Sequence, residues 1–114
     1  MPETPLTPLP HPAFAAELVA LQDRTPKEAV AVGNAVAKAL QLGSALGHPH
    51  VSAVRGWPGL RELRPRAGHS PWRVLCRRHP DGLALLALAP EAVRDRRGFR
   101  RACELAAIRY REVA

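Results

Sequence analysis

Apolar positions in this chain recur first at helical spacing and then at strand spacing. Within residues 13–22, Phe14, Leu18 and Leu21 fall at i, i+4 and i+7, one stripe of a short helix. Thr25-Pro26-Lys27-Glu28 then reads as a helix start: Thr at the N-cap, Pro in the first helical position and Glu at N3, a capping box. A second helix is predicted from Pro26 to about Leu42, with Val32, Val36, Ala39 and Leu40 as its buried stripe, and it stops where Gly43, Gly47 and Pro49 accumulate. The two helices form an antiparallel hairpin in this reading.

The period then shortens to two. Val51, Ala53 and Arg55 alternate with Ser52 and Val54 ahead of a Gly56-Trp57-Pro58-Gly59 turn. Leu60–Arg66 and Trp72–Arg77 are strand candidates joined by an Ala67–Pro71 turn, and Pro65 restricts the first to an edge or a strand end. His79-Pro80-Asp81-Gly82 is a turn, Pro early and Gly late. Leu83–Ala89 is continuously apolar and reads as a central strand buried on both faces. After Pro90, Phe99–Val113 regains helical spacing, with Phe99, Ala102, Cys103, Ala106 and Tyr110 on one side. The expected order is two helices, three antiparallel strands and a closing helix, an α+β domain over residues 13–114 with its helices on one face of the sheet. Residues 1–12 carry Pro2, Pro5, Pro8, Pro10 and Pro12 and predict an extended, poorly ordered arm that forms at most a short edge strand.

Charge changes this picture by dividing the chain. Residues 1–54 hold three bases against four acids, net −1, while residues 55–114 hold fourteen bases, all Arg, against six acids, net +8. Such a half favours a polyanionic partner. Arg in place of Lys suits bidentate contact with phosphate, and equally reflects a GC-rich genome. Cys76 and Cys103 lack metal-ligand spacing and read as free cytosolic thiols. No apolar run is long enough to span a bilayer and no signal peptide precedes the fold, so a cytoplasmic protein is expected.

Four segments then resemble one known family. Gly59-Leu60-Arg61-Glu62-Leu63-Arg64, Trp72-Arg73-Val74-Leu75 and the apolar strand Leu83–Ala89 occur in the order seen in RelE/HigB-like toxins of type II toxin–antitoxin systems, in the phage-related Gp49-like branch. Leu46-Gly47-His48-Pro49-His50-Val51 is similar to the segment that precedes that core, and Phe99–Tyr110 to the closing helix with its late Tyr. The resemblance implies a RelE/ParE-like antiparallel sheet with an N-terminal helical hairpin and a C-terminal helix. It implies ribosome-dependent mRNA cleavage by an endoribonuclease, a small helix-turn-helix antitoxin as partner, mRNA on the ribosome as target, and no metal or cofactor. Two features depart from the family: its first strand has no clear counterpart, and Ala89-Pro90-Glu91-Ala92-Val93 stands where many members have Phe-x-Lys-Lys. A non-hydrolytic toxin or binding module on the same fold, a gyrase poison or a degenerate nucleic-acid binder, is the alternative.

The chemistry asks for cations on a rigid sheet that stabilise charge growing on phosphoryl oxygens. Arg64 and Arg73 match the family's Arg positions and are the first catalytic candidates, against a structural ion pair with Glu62 or Glu91. His69, in the turn between them, is the acid–base candidate, against an inert exposed turn residue. Tyr110 is a further catalytic candidate, against a core-edge aromatic. Arg66, Arg94, Arg96 and Arg97 are candidate RNA-binding residues, against solvated surface. Trp57 and Trp72 offer rings for base stacking, Trp72 more as a core residue. His48 and His50 flank Pro49 without nearby Cys or carboxylates, which is a weak metal pattern, so none is assigned.

Overall fold

A computed structural model describes residues 5–113. The chain runs β1 (Pro8–Pro10), α1 (Pro12–Arg24), α2 (Pro26–Leu42), β2 (Val51–Ala53), β3 (Arg61–Leu63), β4 (Trp72–His79), β5 (Gly82–Pro90) and α3 (Arg96–Glu112), with short 3-10 turns at Gly43–Ala45 and Pro65–Gly68. The five strands make one mixed sheet in the order β1-β5-β4-β3-β2. This is the α+β class expected, and three helices on a five-stranded mixed sheet are compatible with the RelE-like fold.

Part of the proline arm is built into the sheet. β1 pairs parallel with β5, Leu9 opposite Ala84. The Leu83 N–H donates to the Thr7 carbonyl at 2.9 Å and the His11 N–H to the Leu85 carbonyl at 2.9 Å. Odd-numbered residues therefore face β5, and Pro8 and Pro10 place their missing donors on the outer edge, where no ladder needs them. Pro2 lies outside the described residues.

The helices do not share a face, contrary to the sequence reading. Val51, Leu63, Val74, Cys76, Leu83 and Leu85 pack against Phe14, Leu21, Val32 and Ala39 of the hairpin. Leu75, Ala84, Leu86, Ala87 and Ala89 point the other way and pack against Ala102, Cys103 and Ala106 of α3. The all-apolar composition of β5 follows, because both its faces are covered. Between Leu75 and Cys76 the β4–β5 register shifts, Leu75 pairing with Ala87 and Cys76 with Leu85, so Leu86 is the extra residue of a bulge. Leu86 and Ala87 consequently both face α3.

The helix starts differ from the reading in two respects, and the first is that α3 begins at Arg96, three residues before the expected Phe99. Pro26 opens α2 as anticipated, but the capping box does not form: Thr25 makes no side-chain cap hydrogen bond. Glu28 is drawn instead to Ser70, whose hydroxyl donates to Oε1 at 2.7 Å. α1 is capped by the His11 ring, whose Nδ1 accepts from the Ala13 N–H at 3.0 Å. Strand pairing at Leu60–Arg66 contracts to Arg61–Leu63, because Pro65 cannot donate and the chain turns there into a 3-10 segment.

Candidate nucleic-acid interface

The two motif strands meet as the sequence reading requires, Leu63 lying opposite Val74. Their connecting loop is strained. Arg66 and Ala67 hold φ of 53° and 55°, in the left-handed region, at a cost of about 1–3 kcal/mol each. Gly68 follows at φ 97°, and a Cβ there would sit 2.8 Å from an Arg64 guanidinium nitrogen. Glycine thus lets Arg64 lie against the loop backbone.

Arg73 holds the loop from inside. It is 4% exposed. Its Nη1 donates to the Ser70 carbonyl at 2.7 Å and the Trp72 carbonyl at 2.9 Å, and its Nη2 to the Gly68 carbonyl at 3.3 Å and to Glu91 Oε2 at 3.0 Å. Burial, and then the charge of Arg64, lower its pKa from the usual arginine value, while Glu62 and Glu91 act in the opposite direction. With its donors committed to backbone and Glu91, Arg73 works as the scaffold of this loop.

Arg64 is the more accessible of the pair. Its Nη1 donates to Glu62 Oε1 at 3.0 Å, and its Nε is buried without a hydrogen-bond partner. Arg73 Nε lies 3.9 Å from the same Glu62 oxygen. Arg94, 69% exposed at the side chain, pairs with Glu91 at 2.7 Å. Arg64, Glu62, Arg73, Glu91 and Arg94 form a chain of alternating charge, three guanidinium groups to two carboxylates. Its excess is positive.

Around this chain, Arg66 donates to Glu28 and to the Lys27 carbonyl. A groove of about 440 Å³ between α2 and the loop is lined by Lys27, Asn34, Lys38, His50, Arg64 and Arg66, over Val30, Ala31, Ala35 and Leu46. His69 is exposed at the end of the 3-10 turn. Arg96 and Arg97 are exposed in the first turn of α3, where Asp95 caps by accepting from the Gly98 N–H at 2.8 Å.

Tyr110 is not part of this cluster. Its hydroxyl donates to the Arg78 carbonyl at 2.9 Å, near the far end of β4. Arg73 and Arg78 are five residues apart on that strand, roughly 17 Å at about 3.3 Å per residue. The structure thus brings Arg64, Arg73, Arg66 and Arg94 into one region and leaves Tyr110 outside it. Glu28, Glu62 and Glu91, which set the conformation of these arginines, were not among the residues predicted for the site. Only Glu62 and Glu91 carried a sequence signal, as the carboxylates named for an ion pair.

Among the described residues, no helix is long and apolar enough to cross a membrane. No curated protein and no solved structure matches the chain. A family model does, that of the phage-derived protein Gp49-like (DUF891), over residues 16–89. The matched stretch runs from within α1 to the end of β5 and contains Glu28, Glu62, Arg64, Arg66, His69 and Arg73, so it takes in the strained loop and its anchors. Covering well over half of the sequence, it makes the chain a member of the Gp49-like family of phage-derived proteins.

Proposed function

We propose that this protein is the toxin of a type II toxin–antitoxin pair and cuts mRNA on the ribosome without a metal. The observation that carries this reading is Arg64: a guanidinium on a strained loop, braced by Gly68 and Glu62, with a buried Nε left without a partner. A phosphate reaching the exposed part of this guanidinium would compete with Glu62 for its N–H donors. The family membership supports a toxin-like role with an antitoxin partner, and the antitoxin proposed is a small helix-turn-helix protein.

In the reaction proposed, the ribose 2′-oxygen attacks the adjacent phosphorus and the bond to the 5′-oxygen breaks. The products are a 2′,3′-cyclic phosphate and a 5′-hydroxyl. The proton lost from the 2′-hydroxyl goes to a base, and the 5′-oxygen gains one. Arg64 stabilises the charge on the non-bridging oxygens. Arg66, Arg94, Arg96 and Arg97 hold flanking phosphates. Arg73 keeps the loop in shape, and His69, exposed at the end of the 3-10 turn, is the acid–base group proposed.

The test is induced expression with and without the antitoxin candidate encoded beside it, with primer extension on cellular transcripts. Growth arrest and new 5′ ends, both abolished by Arg64→Ala, are expected. Arrest without new ends would overturn the nuclease reading.

One observation favours the alternative of a non-hydrolytic toxin or nucleic-acid binder. Arg73 and Tyr110, two of the four catalytic candidates, spend their donors on backbone carbonyls. A supercoiling assay with gyrase separates the readings: inhibition that survives Arg64→Ala supports a gyrase poison.

A further inference from the structure

Arg77 is held in place without being neutralised. It is exposed on β4, and among the described residues its guanidinium makes no hydrogen bond or ion pair. Its Cζ lies 4.5 Å from the centroid of the Tyr110 ring. A Cβ at Gly59 would fall 3.1 Å from the same atom, and Gly59 has φ 83°, so the turn that approaches so closely requires glycine. The Tyr110 ring is itself fixed, by its hydroxyl on the Arg78 carbonyl and by His79, edge-on at 5.9 Å. Neither contact of Arg77 is a hydrogen bond, so among the described residues its N–H groups are not committed to an acceptor. Such donors let a guanidinium fork onto phosphate.

An apolar slot adjoins this group. It is lined by Trp57, Pro58, Leu60, Arg77, Leu86 and Tyr110, with Ala106 and Ala107 of α3. Its volume of about 60 Å³ takes the edge of a flat ring and not a whole nucleobase. Trp57, half-buried in its turn, offers the stacking face beside it.

We propose that Arg77, Trp57 and Tyr110 form a nucleotide-binding site for single-stranded RNA, separate from the Arg64–Arg73 network. Arg77 takes a phosphate, and the attached base stacks on Trp57 with its edge in the slot. Arg77 and Arg73 lie on the same side of β4, four residues and roughly 13 Å apart. The inference rests on the proposal that RNA is the substrate, and it assigns Tyr110 a binding role in place of a catalytic one.

The experiment is anisotropy of a 5′-fluorescein-labelled uridine decamer titrated with the full-length protein at several salt concentrations. Arg77→Ala should weaken binding about tenfold and lower the slope of log affinity against log salt by about 0.7, one phosphate contact on a single strand. Trp57→Ala should also weaken binding about tenfold but leave the slope unchanged, because stacking releases no counterion. Arg77→Lys should restore the slope and only part of the affinity. Arg77 is exposed and Trp57 half-buried, and thermal unfolding of each variant checks that the fold is kept. Wild-type affinity and slope in Arg77→Ala would overturn the site. So would failure of the wild type to bind the decamer while it binds a fluorescein-labelled decaglutamate through Arg77, which would point to an acidic protein partner. Loss of cleavage activity with Arg77-dependent RNA binding intact removes the nuclease reading and leaves this site standing.

Discussion

Arg109 of α3 and Glu17 of α1 meet around the edge of β5, guanidinium to carboxylate, at 3.0 and 3.1 Å. The helices they come from lie on opposite faces of the sheet. β1 covers β5 only from Leu83 to Leu85, and the bulge at Leu86 follows. Beyond that point the pair serves as the missing neighbour: Arg109 donates to the Leu86 carbonyl at 2.9 Å, and the Leu88 N–H donates to Glu17 at 3.1 Å. Two side chains 92 positions apart thus satisfy an exposed strand edge and join the two helical layers.

Arg109→Ala should therefore destabilise the fold by about 2–4 kcal/mol, toward the lower end for a buried pair because Glu17 keeps some contact with water. Glu17→Ala should cost less, and the double variant should be less damaged than the sum of the two. Denaturant unfolding in a double-mutant cycle measures this. Strict additivity would mean that the two residues act independently.

Arg73 and Arg64 should separate stability from function. Arg73→Ala removes the donor to three carbonyls in a buried place and one of the two guanidinium partners of Glu91, and should cost about 3 kcal/mol or more. Arg64→Ala removes a partly exposed pair worth about 1 kcal/mol or less. Thermal unfolding beside a growth-arrest assay reads both. Stable folding of Arg73→Ala with loss of toxicity alone would return Arg73 to direct contact with RNA.

Glu28 gives the loop an acid-sensitive anchor. The Ser70 hydrogen bond, and after it the hydrogen bond and charge of Arg66, lower its pKa against the opposing effect of burial. A carboxylate whose folded pKa is depressed stabilises the fold fully above its unfolded value, and that contribution is lost as pH falls through the folded value. Stability should decline below about pH 4.5 more steeply in the wild type than in Glu28→Gln. Parallel curves for the two proteins in acid denaturation would show that the anchor is not Glu28.

Both cysteines should be silent toward thiol reagents in the native state. Burial pushes the Cys76 thiol up to about 12, and Cys103 is raised to about 11 by burial and by the nearby Glu62 and Glu104 carboxylates. At pH 8 neither supplies appreciable thiolate, the reactive form. A chromogenic disulfide should titrate two thiols only after denaturation. Rapid native labelling would reveal local opening of the sheet or of α3.

Local patterns were enough for α2, β4, β5 and the turn between those strands. A capping proline, alternation in Trp72–Arg77 and the Pro-Asp-Gly turn act over a few residues, and the structure places these elements within two residues of the predicted ends. The α+β class follows from their order. The candidate site was legible only as a list of arginines. Which of them is buried, paired or open depends on acids far away in sequence: Glu28 reaches Ser70 and Arg66, and Glu91 reaches Arg73. The capping-box pattern at Thr25 misdirected Glu28 for the same reason, since a tertiary hydroxyl and guanidinium outcompete a local backbone N–H.

By itself, then, the sequence determined the helical hairpin, the strand segments and the concentration of Arg in the second half. These are consequences of side-chain periodicity, turn geometry and composition. Tertiary structure alone decided that α3 takes the opposite face, that Pro8–Pro10 closes the edge of β5, that Arg73 turns inward and that Arg77 is left stacked and unneutralised. Those outcomes depend on burial and on charge partners brought together by the fold, and a linear pattern carries no distance between them.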